Sequence, residues 1–354
     1  MKLRPIKDLT EDELYTFFEK YNEKKFRVKQ LNDALYKKKI QAFPEIPNFS
    51  PKLIDQLIAN FSMYSLKVEK TFESVDGSRK ILYSTSDNEK IESVFLPNHQ
   101  NNNKNNKEEK EERNTLCIST MVGCPVNCSF CATARLGYKR GLTVAEIVDQ
   151  LFLTRVTFGE YIDNLVLMGM GEPLLNYENV VAALKLIIQN KILNKKSITL
   201  STVGIPAQII DFANKEIKTK LAISLHSPFD EIRRKLIPIT KNYQIEDLLK
   251  SLDYYYKTTK LPITFEYILF KGINNRDEDV KKLGRIARRF PSKINLIPFN
   301  DISFVAPECE LEASNQEEIT EFSKKLYDED IMVIVRKSQG SDIAAACGQL
   351  AQRG

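Results

Sequence analysis

From residue 116 to residue 335, short apolar runs alternate with amphipathic stretches, and no other feature of the chain constrains its fold as strongly. Runs rich in β-branched and aromatic residues predict strands over Leu116–Thr120, Leu165–Met168, Ile198–Ser201, Leu221–Leu225, Ile263–Leu269 and Ile294–Ile297, with a further one near Met332–Val335. Helical periodicity between them predicts helices over Thr143–Thr157, Glu178–Gln189, Ile245–Tyr256, Asp277–Arg289 and Gln316–Tyr327. Strand–helix alternation implies an α/β fold with a parallel sheet and right-handed crossovers. About six such units predict an incomplete (β/α)6 barrel of the TIM type, with a doubly wound open sheet as the competing architecture. In either, functional groups belong at the carboxyl ends of the strands.

The flanks read differently. Residues 1–75 predict a small helical accessory domain and a candidate RNA contact. Thr10 and Glu13 form a capping box, and Leu14, Phe17, Phe18 and Tyr21 follow on one helical face. Lys37, Lys38 and Lys39 lie outside the apolar stripes and read as a solvated face. Residues 76–109 hold a strand pair, in Lys80–Ser84 and Ile91–Phe95, and the start of a polar segment. That segment, 98–114, contains no apolar residue and is expected to be a mobile loop, with His99 merely solvated. The barrel core is expected over 110–340 and a separate C-terminal segment over 341–354.

Composition narrows the function classes. No apolar run is long enough to span a bilayer and no signal peptide is present, so a cytoplasmic protein without membrane contact is expected. The net charge of +5 leans mildly towards polyanionic partners. With only two histidines, His99 and His226, a His-rich metal site is excluded. Six cysteines in a reducing compartment are not a disulfide framework, and four of them crowd between Cys117 and Cys131.

The central motif is Cys124-Pro-Val-Asn-Cys128-Ser-Phe-Cys131. Three thiolates can hold three irons of a cubane and leave the fourth open for chemistry. The bland alternative, a zinc knuckle, wants a second cysteine pair, and none lies nearby. The loop resembles that of the radical S-adenosylmethionine superfamily, Cys-x3-Cys-x-aromatic-Cys, with Phe130 as the aromatic. The resemblance implies a radical barrel with a 4Fe–4S cluster on Cys124, Cys128 and Cys131, and S-adenosylmethionine bound beside it. It also assigns the strand-end residues Gly171, Glu172, Ser201, Ser224, Leu225, His226 and Asn300 to that ligand.

A more specific resemblance covers nearly the whole chain. Phe26-Arg27-x-Lys29-Gln30, Leu116-Cys-Ile-Ser, Met168-Gly-Met-Gly-Glu-Pro-Leu-Leu-Asn176, Ser224-Leu-His and Ala346-Cys-Gly-Gln-Leu are similar to the RlmN family of adenine-C2 methyltransferases acting on 23S rRNA and tRNA. That resemblance implies that Cys347 carries a methyl group, that Cys117 completes the reaction through a transient disulfide with Cys347, and that Glu92 is an acid–base group. It also implies a flavodoxin-type electron donor and RNA partners; a monomer is expected. Without the resemblance, Cys347 reads as a small buried residue, Glu92 as a surface strand glutamate and Cys309 as incidental. Arg233, Arg234, Lys235, Arg288 and Arg289 are scattered candidates for RNA contact. Rival readings are a C8-methylating relative of the antibiotic-resistance type, a non-catalytic metal-containing RNA-binding module, and a radical enzyme acting on a small molecule or peptide.

Overall fold

The computed structural model describes residues 3–97 and 113–351. Most of the polar segment 98–114, including His99, lies outside them. Ten strands form one sheet: β1 (Leu66–Glu73), β2 (Arg79–Thr85), β3 (Lys90–Leu96), β4 (Thr115–Cys117), β5 (Asn164–Leu167), β6 (Ile198–Thr202), β7 (Lys220–Ser224), β8 (Ile263–Leu269), β9 (Ser292–Pro298) and β10 (Val333–Val335). From β4 to β10 every neighbour is parallel.

Strand order across the sheet follows chain order throughout. A doubly wound sheet reverses direction at a switch point, and here none exists. The sheet therefore curls one way as a partial barrel, with helices on every crossover: α4 (Val144–Phe158), α5 (Tyr177–Gln189), α6 (Pro206–Asn214), α7 (Asp230–Leu236) and α8 (Ile245–Thr259), α9 (Asp277–Ala287), then α10 (Gln316–Asp328). The seventh parallel strand, β10, ends the sheet on one side without pairing back to the other. Strand interiors such as Ile263, Phe265, Tyr267 and Leu269 are fully buried, as befits strands covered on both faces.

The N-terminal unit departs from the all-helical expectation. It has α1 (Glu11–Lys20), α2 (Phe26–Asn32) extended by a π-helical stretch over Asp33–Lys38, and α3 (Pro51–Asn60). It also contributes β1, so the expected strand pair is a three-stranded antiparallel extension on the β4 edge. The unit docks on α4 through a buried ion pair, Lys7 Nζ to Asp149 Oδ1 at 2.7 Å. Ser65 adds its backbone N–H and its hydroxyl to the other Asp149 oxygen at 2.6 and 2.7 Å. This contact explains why α4 is buried on all sides from Ala145 to Thr154.

Among the described residues no helix is long and apolar enough to cross a membrane.

Candidate active site

The chain leaves β4 and makes a small antiparallel pair, Met121–Gly123 with Tyr138–Gly141, that brackets the cysteine loop. Gly123 is required at its base: its φ is +70°, and a Cβ there would lie 1.7 Å from the Gly137 carbonyl oxygen. The loop is then tied to three distant parts of the chain. Cys124 N–H donates to Gly137 O (3.1 Å), Ser129 N–H to Leu236 O (3.0 Å) and Ala132 N–H to Gly348 O (2.7 Å). Cys309 lies against it too, its thiol 3.8 Å from Ser129 O, so this residue packs on the loop rather than standing apart.

Cys124, Cys128 and Cys131 line one cavity at the carboxyl ends of the barrel strands, together with Gly171, Glu172, Ser201, Ser224, His226, Asn300 and Cys347. Leu225 is not among the lining residues. Its side chain is buried in the core and its carbonyl accepts from Arg233 Nε at 3.2 Å. Burial pushes the thiols of Cys124 and Cys131 up, that of Cys124 to about 12, and Cys128 rises further as Cys131 and Cys124 add their own repulsion. Three converging thiols that resist ionisation alone suit a multiply cationic group, which would hold them as thiolates.

Three thiols on one cavity are the donor set of a cubane that takes one thiolate on each of three irons and leaves the fourth iron open.

Glu172 is the buried carboxylate of this cavity. Leu174 N–H donates to its Oε1 at 2.9 Å and Val203 N–H to its Oε2 at 2.8 Å. Those bonds fix its orientation and leave lone pairs for a cationic ligand. Burial nevertheless pushes its pKa up to about 6, against the lowering effect of its hydrogen bonds. Gly171 before it has φ +101°, and a Cβ there would meet Met121 Cβ at 2.6 Å.

His226 has a left-handed backbone, φ +52°. Ile268 N–H donates to its Nδ1 at 3.0 Å, which puts the proton of the neutral ring on Nε2. Burial, then the charge of Arg233, lowers its pKa to about 3, so the ring is a neutral donor at physiological pH. Phe130 packs edge-on against it with centroids 4.7 Å apart. The aromatic of the cysteine motif thus braces the histidine of the next motif.

A smaller adjoining cavity is lined by Cys117, Cys131 and Cys347 together with Val94, Leu96 and Gly348. Cys347 is open to solvent, which corrects its reading as a buried small residue, although crowding by protein still raises its thiol. Cys117 is pushed up to about 12 by burial and then by Cys347. All six cysteines are free, and the two are not bonded to each other.

The segment carrying Cys347 is strapped down on several sides. Asn300 Nδ2 donates to Cys347 O (3.1 Å), Thr133 Oγ1 to Leu350 O (2.7 Å) and Gln349 Nε2 to Asp301 O (2.9 Å). Upstream, Asp342 accepts from the Ser74 hydroxyl at 2.5 Å and Val75 N–H at 3.1 Å, in the β1–β2 turn.

Glu92 does not line either cavity. It is fully buried, not a surface glutamate, and pairs with Lys80 Nζ at 2.9 Å. Arg233 is likewise buried, binding the carbonyls of Val203, Ser224 and Leu225 at the ends of β6 and β7. It cannot meet RNA. Arg288 and Arg289 are engaged with Glu329 and Glu246.

Two features escaped sequence reasoning. Glu266, in the middle of β8, lines the cavity and accepts from Asn295 Nδ2 at 2.8 Å. A lone acid in an otherwise apolar buried strand was the available signal. Arg336 and Lys337 line the cavity mouth, after the last strand.

Comparison with known proteins follows the same geometry. Residues 118–284 match the model of the Radical SAM superfamily, and residues 5–62 match the Ribosomal RNA large subunit methyltransferase N-terminal domain. The chain is 37% identical to a probable dual-specificity RNA methyltransferase RlmN of Flavobacterium johnsoniae, over 99% of this chain and 97% of that protein. It is 39% identical to the one of Clostridium novyi, over 98% of each. Among solved structures it is similar to a radical SAM methyltransferase from Sphaerobacter thermophilus, with a TM-score of 0.89 and 31% identity, covering 99% of this chain and 100% of that one.

Proposed function

The chain belongs to the RlmN family of radical S-adenosylmethionine RNA methyltransferases, and from that premise we propose that it methylates C2 of a specific adenosine in 23S rRNA and of an adenosine beside the anticodon in tRNA. Membership brings a 4Fe–4S cluster and S-adenosylmethionine as cofactors. When bound, the cluster supplies the single electron that cleaves the sulfonium to a 5′-deoxyadenosyl radical.

The observation that carries this reading is the meeting of Cys117 and Cys347, from β4 and from the C-terminal segment, at one cavity beside the three-cysteine loop. Adenine C2 is electron-poor and does not attack a sulfonium methyl, so a carrier is needed. Cys347, the solvent-open thiol, takes a methyl group from one S-adenosylmethionine by displacement. Its methylthioether would then give a hydrogen atom to the deoxyadenosyl group, and the carbon so activated would bond to C2. The unpaired electron left on the ring would return to the cluster as Cys117 assists loss of the C2 proton. The Cys117 thiolate then attacks the Cys347 sulfur and breaks its bond to the transferred carbon, which takes up a proton as the disulfide forms and the methylated RNA is freed. The buried Glu172 carboxylate receives the ammonium of the methionyl end, and neutral His226 and the Ser201 and Ser224 hydroxyls offer hydrogen bonds to the rest of that ligand. Glu92, paired with Lys80 and on the face of β3 that also carries Val94 and Leu96, serves as the acid–base group of the reaction. The reading places the protein in the cytoplasm as a monomer with a flavodoxin-type reductant.

Nucleoside mass spectrometry of rRNA and tRNA, from a bacterial host lacking its own enzyme, tests it. Expression of this chain should produce 2-methyladenosine, and Cys347→Ala should abolish it. Appearance of 8-methyladenosine would keep the carrier thiol and move the target carbon.

A further inference from the structure

Five residues run from the end of β10 to the strapped segment: Arg336, Lys337, Ser338, Gln339 and Gly340. Both ends are pinned. Arg336 N–H donates to Leu296 O at 2.8 Å, continuing the β9–β10 ladder. Gly340 N–H donates to Asp76 Oδ2 at 2.8 Å, in the β1–β2 turn. The stretch therefore bridges one edge of the barrel to the antiparallel extension on the other edge.

Its first four residues line the large cavity, and Arg336, Lys337 and Ser338 are exposed, so they form the rim through which a ligand reaches Cys347. Neither Arg336 nor Lys337 has an ion pair among the described residues. By contrast Arg140, Arg276, Arg288 and Arg289 are all engaged with carboxylates. The charge of Arg336 nevertheless reaches inward, since it lowers the pKa values of Cys347 and of Glu266 against the burial that raises them.

We propose that the rim Arg336–Gln339 is a phosphate-binding site that grips the RNA backbone beside the adenosine inserted towards Cys347. The proposal rests on the RNA reading above and says where the backbone lies. A base reaches such a cavity only when it is turned out of its stack, and the phosphates flanking it then cross the mouth. Two unpaired cations, a hydroxyl and an amide on a backbone fixed at both ends supply sequence-independent contacts that set register without reading bases. The methionyl carboxylate is the competing anion, and RNA is favoured over it because Arg336 and Lys337 are exposed whereas Glu172 is buried. An acidic electron-donor protein needs no access to the cavity mouth, so RNA is favoured over it.

Salt dependence of binding provides the test. The cluster-loaded chain is titrated anaerobically with an unmodified tRNA transcript across a range of salt. Each phosphate contact contributes about 0.7 to the slope of log K against log salt for a single-stranded segment. Arg336→Gln with Lys337→Gln should make the slope shallower by about 1.4, and Lys337→Gln alone by about half as much. The charge-conserving pair Arg336→Lys with Lys337→Arg should restore it, which separates charge from folding.

An unchanged slope in the glutamine pair, with wild-type protein binding normally, overturns the rim and leaves the RNA reading standing. An unchanged slope with slower cluster reduction by flavodoxin also overturns it and assigns the rim to the donor. If the wild-type chain binds no transcript, rim and RNA reading fall together.

Discussion

Asn300 donates its side-chain amide to the carbonyl oxygen of Cys347 at 3.1 Å, joining the loop after β9 to the segment that bears the solvent-open thiol. The bond acts on the backbone and not on the sulfur. It sets where the thiol stands while leaving it free to react.

Asn300→Ala should therefore slow methyl transfer without unfolding the protein. One such hydrogen bond is worth about 1 kcal/mol net, so the rate of Cys347 methylation should fall roughly three- to tenfold. Intact-protein mass spectrometry during anaerobic incubation with S-adenosylmethionine reads that rate directly. A normal rate with weakened S-adenosylmethionine affinity would assign Asn300 to the ligand instead.

The proposed contact of Glu172 with the ammonium of S-adenosylmethionine should make ligand binding depend on pH. Its pKa of about 6 lies above the ordinary carboxylate value because it is buried. It is ionised above pH 6 and loses its charge as the pH falls through that point. Affinity for the ammonium of S-adenosylmethionine should then drop below pH 6, and Glu172→Gln should bind weakly at all pH values. The raised pKa also means that this group favours the folded state less as pH rises from about 4.5 to 6, so stability of the ligand-free protein should change in the opposite direction to ligand affinity. Calorimetric titration from pH 5.5 to pH 8 checks the first effect and denaturant unfolding the second.

The Lys80–Glu92 pair has both side chains almost wholly buried. Lys80→Met strands a buried carboxylate and should cost roughly 3–5 kcal/mol in a denaturant titration. The double variant with Glu92→Met removes both charges and should recover a large part of that loss. Equal losses in the single and double variants would show that packing, not charge, is at stake.

Gly123→Ala places a Cβ against Gly137 O and strains a backbone with φ +70°. The base of the cysteine loop must open, and iron bound per chain after anaerobic reconstitution should fall severalfold while the far-ultraviolet spectrum of the barrel stays near that of the parent. Full iron loading would show that the loop tolerates the shift.

Much of the barrel was legible because its strands are buried on both faces and bounded by clear breakers. The prediction for Ile263–Leu269 matches β8 end for end. Strand β1 was missed for a physical reason: a bulge between Val68 and Lys70 breaks its two-residue alternation, and its edge position leaves charged residues on the outer face. Glu92 looked solvent-facing because it is a charged residue followed by Ser93, yet it shares its strand face with Val94 and Leu96. Its burial comes from Lys80 on the neighbouring strand, whose Nζ also lies 3.5 Å from Ala344 O in the C-terminal segment. The spacing of the cysteine loop pointed to a metal group, and the family resemblance supplied its chemistry. The partnership of Cys117 with Cys347 did not, since the whole barrel lies between them in the chain and only the family resemblance joined them.

The strap that holds Cys347 has an order of events built into it. Gly348 and Leu350 cover the cysteine loop through Ala132 and Thr133, yet they are translated after every barrel strand. A ribosome-bound chain can curl its barrel and present three thiols before the lid over them exists. The segment that covers the cysteine loop is also the one that carries Cys347, so a chain interrupted before residue 340 would keep the three loop thiols and lack both their cover and the fourth thiol.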